Sequence, residues 1–265
     1  MHVEITLEDR TVALDLDYDP NFQADVNTRF MLEQRTACEP EVAHLMFRVL
    51  QEGDVAVDGG ANIGFFSLLM AKLVGETGRV LAFEPGENNL VKLRGNIALN
   101  KLGNVEVVEA ALWHHKNLTL DFYLCQDSGE NSVARSDFAL SKTSVAAVQL
   151  SDYMRERPRR IKLIKLDVEG SEQHALEGAY MHLGMQVPYI VCELNTPALK
   201  QCGHTQQSLR KLMLNFGYDM FVLHPDGKLP ALVPTGSTVE AVAANTNVLF
   251  STAKSVAQVW PVVHV

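Results

Sequence analysis

The stretch Asp54-Val-Ala-Val-Asp-Gly-Gly-Ala-Asn-Ile-Gly64, followed by the apolar run Phe65 to Leu73, decides the fold of this chain. It predicts a short buried strand, a glycine-rich turn and a buried helix, because glycine permits sharp turns and a close approach of the backbone to a ligand. Asp58 stands at the carboxyl end of the strand, where open α/β sheets bind their ligands. The stretch therefore predicts a site for a nucleotide-like ligand.

Strand and helix patterns alternate along most of the chain. Apolar strand patterns occupy 55–57, 79–83, 105–108, 161–166 and 189–194, helical patterns occupy 65–73, 88–100, 171–183 and 205–216, and 218–223 with 247–251 resemble a closing pair of strands. Near-continuous apolar strands separated by helices predict an α/β fold, with a mostly parallel sheet and helices on both faces.

Residues 112–150 interrupt this alternation. Two segments, 118–124 and 145–150, have the period-2 pattern of antiparallel strands, and a polar loop containing Asn131 and Ser132 lies between them. We expect a β insertion near the ligand side of the sheet, where loops commonly carry function.

The N-terminal segment has weaker patterning, with alternation that predicts a small hairpin. The predicted domains are an N-terminal extension (1–36), a main domain (37–252) and a C-terminal tail (253–265).

Composition is that of a folded protein with an acidic surface. The 265 residues are 47% hydrophobic and 21% charged, which suffices for a sizeable core. The net charge of -9 disfavours nucleic acid and anionic membranes as partners. The four cysteines show no metal-ligand spacing, and no signal peptide or membrane span is predicted. We therefore expect a cytoplasmic protein with reduced thiols.

The glycine spacing discriminates between cofactors. Glycines 59, 60 and 64 do not form the G-x-G-x-x-G pattern of nicotinamide or flavin sites. Asp58 directly precedes the turn, where a carboxylate disfavours pyrophosphate and favours a cation. The ammonium and sulfonium groups of S-adenosylmethionine fit this preference. Glu84, at the end of the next strand, is placed to accept ribose hydroxyl protons, a feature that NAD sites share.

Four segments occur together and in order. They are Val57-Asp-Gly-Gly-Ala-Asn-Ile-Gly-Phe-Phe-Ser67, Ala82-Phe-Glu-Pro85, Ile164-Lys-Leu-Asp-Val-Glu-Gly-Ser-Glu172 and Val191-Cys-Glu-Leu194. Over roughly residues 37–252 the chain resembles the FkbM-type family of class I S-adenosylmethionine-dependent methyltransferases. One departure is Gly59, where the family more often has valine.

The resemblance implies a Rossmann-like class I methyltransferase fold, with a seven-stranded, mostly parallel sheet whose last strand is antiparallel. It implies O-methylation of a hydroxyl on a sugar, polyketide or other small metabolite. The cofactor-binding residues it implies are Glu39, Asp58, Gly60, Asn62, Gly64, Glu84, Ala110 and Ala111. We expect a small-molecule or glycan acceptor, no nucleic acid or membrane partner, and a possible homo-oligomer. The alternatives are an NAD-dependent oxidoreductase and a catalytically silent, cofactor-binding partner subunit.

Three carboxyl groups are the candidates for chemistry on the acceptor. An alcohol is a poor nucleophile until its proton is removed, so a general base helps methyl transfer. Asp167 is the first candidate for acceptor binding or base, and Glu169 shares that role or caps the following helix. Glu193 contacts the acceptor or makes a structural hydrogen bond. Together the three could bind a divalent metal ion, but such clusters also occur without one, and the metal-free interpretation is favoured.

Overall fold

A computed structural model describes residues 1–34, 37–126, 128–134, 139–155, 161–184, 187–239 and 245–260. The strands are β1 (His2–Leu7), β2 (Arg10–Asp15), β3 (Val55–Gly59), β4 (Arg79–Phe83), β5 (Val105–Val108), β6 (Ala111–Leu112), β7 (Leu118–Leu124), β8 (Ser141–Val148), β9 (Ile161–Leu166), β10 (Tyr189–Asn195), β11 (Asp219–Val222), β12 (Ala231–Leu232) and β13 (Asn245–Ser251). The helices are α1 (Gln23–Gln34), α2 (Pro40–Val49), α3 (Phe65–Val74), α4 (Glu87–Leu99), α5 (Leu150–Arg155), α6 (Glu172–Glu177), α7 (Thr196–Gln201), α8 (Gln206–Asn215) and α9 (Ala253–Val259), with 3-10 turns at Ser128–Glu130 and Tyr180–His182.

The central sheet has the strand order β12-β11-β13-β10-β9-β3-β4-β5. Strands β5, β4, β3, β9 and β10 are parallel, whereas β13 runs antiparallel to both β10 and β11. The predicted α/β class and the antiparallel last strand are therefore confirmed. The sheet gains an eighth described strand, because the two-residue, exposed β12 pairs with the edge strand β11. So short a segment has no pattern that sequence could reveal.

Burial explains why the glycine-turn stretch folds as a strand and a helix. All five residues of β3 are buried, and every residue of α3 except Lys72 is buried too. Two large apolar clusters lie against the sheet: one includes α2, α3 and the N-terminal hairpin, and the other includes residues of α5, α6 and α8. Covering both faces removes the apolar strands from water, as the sequence predicted.

The predicted N-terminal hairpin is β1 paired with β2. Glu8 and Asp9 form its turn with positive φ angles of 52° and 59°, as a two-residue turn of this kind requires. Ile5 and Leu14 are fully buried in the same cluster as α2 and α3, so the hairpin packs onto the main core. The domain limits at 36 and 252 stay predictions.

The predicted β insertion forms a separate three-stranded sheet, in the order β6-β8-β7. The helix expected at 171–183 is shorter than predicted, since α6 ends at Glu177. A Cβ on Gly178 would lie 2.3 Å from the Trp113 carbonyl oxygen, so the chain approaches the insertion closely there and the helix stops. Within the described ranges, no helix combines the length and apolar character needed to cross a membrane.

Candidate active site

A cavity of about 300 Å³ lies at the carboxyl ends of the central strands. Its walls come from α1, the glycine turn, the ends of β4, β9 and β10, and the β insertion. This volume is at the lower end of the range for small-molecule sites. The position agrees with the rule that open α/β sheets bind ligands at this edge.

The structure brings nearly all of the predicted site residues together around this cavity. The predicted residues that line it are Glu39, Asp58, Gly60, Asn62, Glu84, Ala110, Ala111, Asp167, Glu169 and Glu193. Gly64 is not among the lining residues. Its φ is 95°, and a Cβ there would lie 2.6 Å from Leu93 Cδ1, so Gly64 allows α3 to start close against α4.

Gly60 brings the glycine turn into contact with the segment that follows β9. Its φ is 80°, and a Cβ at this position would lie 1.8 Å from the Asp167 carbonyl oxygen. The Asp167 amide donates a hydrogen bond to the Gly59 carbonyl at 2.9 Å, which holds the two segments in contact. Only glycine fits here, because both the backbone conformation and the space exclude a side chain.

Asp58 offers a buried carboxylate oxygen to a ligand. The side chain is 1% exposed, and Ser67 Oγ donates a 2.5 Å hydrogen bond to Oδ2. Oδ1 is buried and has no hydrogen-bond partner in the described part of the chain. Burial raises the pKa of Asp58, and the charge of Lys165 opposes that rise. A cationic ligand group would satisfy the unpaired oxygen.

Glu84 and Asn62 form a second polar surface beside Asp58. Glu84 Oε1 accepts from the Gly86 amide and Oε2 from the Asn62 amide, both at 2.8 Å. Burial raises the pKa of Glu84 to about 7. Among the described groups, nothing donates to the buried Asn62 Oδ1. The carboxylate of Glu84 is thus fixed in orientation by backbone donors and keeps acceptor capacity for a ligand hydroxyl.

The opposite end of this surface is apolar. Ala110 and Ala111 are buried, and Phe83, Leu112 and Phe122 line the cavity beside them. Small and aromatic side chains leave a slot that suits a planar ring. The residues therefore fit S-adenosylmethionine, with unpaired acceptor oxygens for its cationic end, Glu84 for its ribose and an apolar slot for its adenine.

Sequence reasoning missed Lys165, which is the central cation of the site. This residue of β9 is 2% exposed, and its Nζ lies 2.9 Å from Asp167 Oδ2 and 4.7 Å from the Phe66 ring centroid. Burial alone would lower the pKa of Lys165, but the charges of Asp167, Glu39 and Asp58 hold it above its usual value. The sequence signal that could have revealed Lys165 is a lysine within an otherwise apolar strand pattern.

The three acceptor-side carboxyl groups converge as predicted. One oxygen from each of Asp167, Glu169 and Glu193 lies within 4.8 Å of the others. Burial and the charge of Asp167 raise the pKa of Glu169 to about 8 and that of Glu193 to about 11. Asn195 Nδ2 donates to Glu169 Oε2 at 2.9 Å. The cluster thus combines an Asp167–Lys165 ion pair with two carboxyl groups that favour the protonated form near neutral pH. The metal-free interpretation stays a prediction.

Three residues of the cavity wall have a strained backbone conformation. Glu39, Asn62 and Glu169 have φ angles of 39°, 50° and 49°, in the left-handed region that residues other than glycine seldom adopt. All three line the cavity. Ser132 Oγ in the β insertion donates a 2.6 Å hydrogen bond to the Glu169 carbonyl, which helps to hold that conformation. Strained residues persist at functional sites where the surrounding structure fixes them.

Helix α1, which the sequence did not predict, forms one wall of the cavity through Thr28 and Met31. The helix is anchored at Asp25, whose Oδ2 lies 2.9 Å from Lys92 Nζ of α4. Its apolar pattern is weak, since only Ala24 and Asp25 are buried among its residues. The N-terminal segment thus contributes to the side of the site that would meet an acceptor.

The buried acids make the stability of the unliganded protein depend on pH. The pKa values of Glu39, Glu84 and Glu172 are each raised to about 7, with burial as the first cause. A raised carboxyl pKa contributes stability that is present below the unfolded pKa and lost as pH rises through the folded pKa. The free energy of unfolding should therefore fall between about pH 4.5 and 7, by about 1.4 kcal/mol per pH unit per group.

Glu172→Gln tests this expectation by urea unfolding across that pH range. Glu172 Oε1 accepts from the amides of Val168 and Gly170, and glutamine keeps an oxygen for both bonds. The free energy of unfolding of Glu172→Gln should fall less steeply with rising pH than that of the wild type. The control Glu4→Gln changes an exposed residue and should leave this pH dependence unchanged. Equal slopes for Glu172→Gln and wild type would contradict the assignment.

Comparison with known proteins identifies the domain. The profile described as Methyltransferase FkbM domain matches residues 58–220. "Methyltransferase 1" of Beauveria bassiana is 29% identical over 142 residues, which cover 46% of this chain and 57% of that protein. "Methyltransferase sdnD" of Sordaria araneosa is 31% identical over 154 residues, which cover 46% of this chain and 59% of that protein. The chain thus spans less than two thirds of the length of these relatives.

Among solved structures, methyltransferase FkbM from Methylobacillus flagellatus is 17% identical with a TM-score of 0.46, over 87% of this chain and 60% of that one. The domain match covers the glycine turn, Glu84 and the β9–α6 segment, which together carry most of the cavity. The predicted family and cofactor are confirmed: the chain belongs to the FkbM methyltransferase domain family, whose cofactor is S-adenosylmethionine.

Proposed function

We propose that this chain transfers a methyl group from S-adenosylmethionine to a hydroxyl oxygen of a small metabolite, of the sugar or polyketide class. The observation that carries the proposal is one cavity with two different faces. All six polar residues line this cavity: Asp58, Asn62 and Glu84 have the chemistry that suits the cofactor, and we assign Asp167, Glu169 and Glu193 to the acceptor. When bound, the cofactor supplies an electrophilic methyl group. The family match supports methyl transfer over the dinucleotide alternative.

Asp167 is the proposed general base. Of the three acceptor-side carboxyl groups, Asp167 is the one that pairs with the cation Lys165, at 2.9 Å. Glu169 and Glu193, with pKa values raised to about 8 and about 11, are protonated near neutral pH. A protonated carboxyl can donate a hydrogen bond to an acceptor oxygen while Asp167 takes the hydroxyl proton.

The surroundings of these groups support a small, polar acceptor. Helix α1 and the loop that carries Glu130 and Asn131 contribute residues to the wall of the cavity. An in-line displacement requires the acceptor oxygen to be aligned with the methyl carbon, and these segments are available to position the acceptor. A cavity of about 300 Å³ cannot hold a folded macromolecule, so a larger acceptor would present only one residue or sugar unit.

The Asp167→Asn variant tests the proposal directly. Calorimetric titration should show S-adenosylhomocysteine binding within about threefold of wild type, because Asp167 lies on the acceptor side. Release of S-adenosylhomocysteine from S-adenosylmethionine, with a panel of monosaccharides and polyketide alcohols, should fall by about 100-fold or more. The panel also includes an amine analogue of each alcohol, so comparison of the two turnovers distinguishes O-methylation from N-methylation.

Two further variants serve as controls for this experiment. Asp121→Asn removes an exposed carboxylate that pairs with Lys142 on the β insertion and should leave both measurements unchanged. Asp58→Ala should abolish binding of S-adenosylhomocysteine. Absence of binding to the wild-type protein would refute the function itself, and wild-type turnover in Asp167→Asn would remove Asp167 from the mechanism.

A further inference from the structure

A second group of polar side chains meets at the surface, and none of its members lines the cavity. His174 and Glu177 lie on α6, His114 follows β6, and His204 lies between α7 and α8. Three separate segments supply the four side chains, so they form no metal-ligand motif along the chain. The fold alone brings them together.

Three of these side chains lie close enough to share one metal ion. One donor atom from each of His114, His174 and Glu177 lies within 4.8 Å of the others. His174 Nδ1 lies 3.6 Å from Glu177 Oε2. Zinc bonds of about 2.0–2.1 Å to nitrogen and oxygen separate tetrahedral ligand atoms by roughly 3.3 Å, a comparable spacing. His204 Nε2 lies beside the group, 3.4 Å from His174 Nδ1.

Two of the imidazoles have surroundings that suit metal binding. The Trp113 ring packs against the His174 ring with centroids 3.8 Å apart, which restricts its rotation. His114 Nδ1 is buried and has no hydrogen-bond partner within the described ranges. One ring is therefore oriented, and another offers an unsatisfied nitrogen.

We propose that His114, His174 and Glu177 form a binding site for a transition metal ion of the zinc type, with His204 beside His174. Two imidazoles with one carboxylate suit zinc better than magnesium or calcium, which prefer oxygen ligands. The ion would cross-link the β6–β7 turn and α6. Since α6 begins at Glu172, shortly after Glu169 and Gly170, the ion would also stabilise the helix beside the acceptor-side carboxyl groups. The site does not depend on the proposed reaction.

Zinc titration of the full chain tests the proposal. Calorimetry should show one Zn²⁺ bound per chain, and Co²⁺ should produce the visible absorption of tetrahedral coordination. A hundredfold excess of Zn²⁺ over Kd should raise Tm by about 5 °C. His174→Gln and Glu177→Gln should each weaken binding at least about tenfold. His224→Gln removes an exposed histidine elsewhere and should change nothing.

S-adenosylhomocysteine binding provides the independent readout. It should be unchanged in Glu177→Gln, whose side chain is 32% exposed and whose replacement should not disturb folding. Absence of Zn²⁺ binding to the wild-type protein would overturn the proposal. So would unchanged Zn²⁺ affinity in both variants, because His174 and Glu177 are ligands in the proposed site.

Discussion

Lys165→Met is expected to destabilise the protein by about 3–5 kcal/mol at neutral pH, because it removes the cation from a buried charge cluster. Methionine keeps much of the side-chain volume, so the loss should come from electrostatics. Asp167 would lose its ion-pair partner at 2.9 Å, and Glu39 and Asp58 would lose a nearby positive charge. Urea unfolding monitored by circular dichroism measures the effect.

The matched control lies on the same strand. Lys162 of β9 is half-buried, with its Nζ 5.6 Å from the centroid of the Tyr189 ring. Lys162→Met should cost less than about 1 kcal/mol, as is usual for an exposed cation–π contact. Equal losses in the two variants would show that Lys165 has no special electrostatic role.

The pH dependence of Lys165→Met provides a second check. Without Lys165 the buried carboxylates can reduce their cost only by taking up protons, so the variant should approach wild-type stability as pH falls below about 5. A loss that is constant between about pH 5 and 8 would point to packing and would contradict the electrostatic explanation. If the variant is unfolded at neutral pH, its free energy of unfolding can still be compared with that of the wild type at low pH.

Gly60→Ala is expected to cost about 3 kcal/mol or more and to abolish S-adenosylhomocysteine binding. The new Cβ would lie 1.8 Å from the Asp167 carbonyl oxygen, and alanine disfavours a φ of 80°. The turn after β3 would have to separate from the end of β9. That movement would also displace Asp58 relative to Asp167, so both faces of the cavity would be affected.

Gly95→Ala provides the contrast for this variant. Gly95 lies in α4, and a Cβ there would have no atom within 4 Å. Alanine should stabilise the helix by about 0.5–1 kcal/mol, since glycine is the poorer helix former. The two glycine-to-alanine changes should therefore have opposite signs in urea unfolding. Wild-type stability of Gly60→Ala would contradict this expectation, because it would mean that the turn moves away from Asp167 at no cost in free energy.

The sequence predicted the sheet and the cofactor face well because both depend on local patterns. The strand of 79–83, for example, begins and ends as predicted, since a short apolar run before a glutamate and proline has few alternatives. Helix α1 was missed because its pattern is weak, and its position depends on Asp25 pairing with Lys92 of α4. Pairing between distant segments leaves no local signal.

The charge arrangement also required the tertiary structure. Lys162 and Lys165 occur in one strand pattern, yet Lys165 is buried beside Asp167 and Lys162 is half-buried near Tyr189. The sequence shows which side chains are ionisable, but the fold decides which of them lose water. The same holds for His174, which the fold packs against Trp113.

By itself, the sequence determined the class of fold, the glycine turn and the chemical type of the cofactor. Glycine spacing, strand-end carboxylates and apolar runs are local requirements of that site, so they can be read in order along the chain. Only the tertiary structure decided that the Lys165 cation lies near three carboxyl groups and that α1 forms one wall of the cavity. The same is true of the contacts that the His174 ring makes with His114 and His204. Each of these depends on distances between segments far apart in the chain, and those distances exist only after the sheet and its helices have packed.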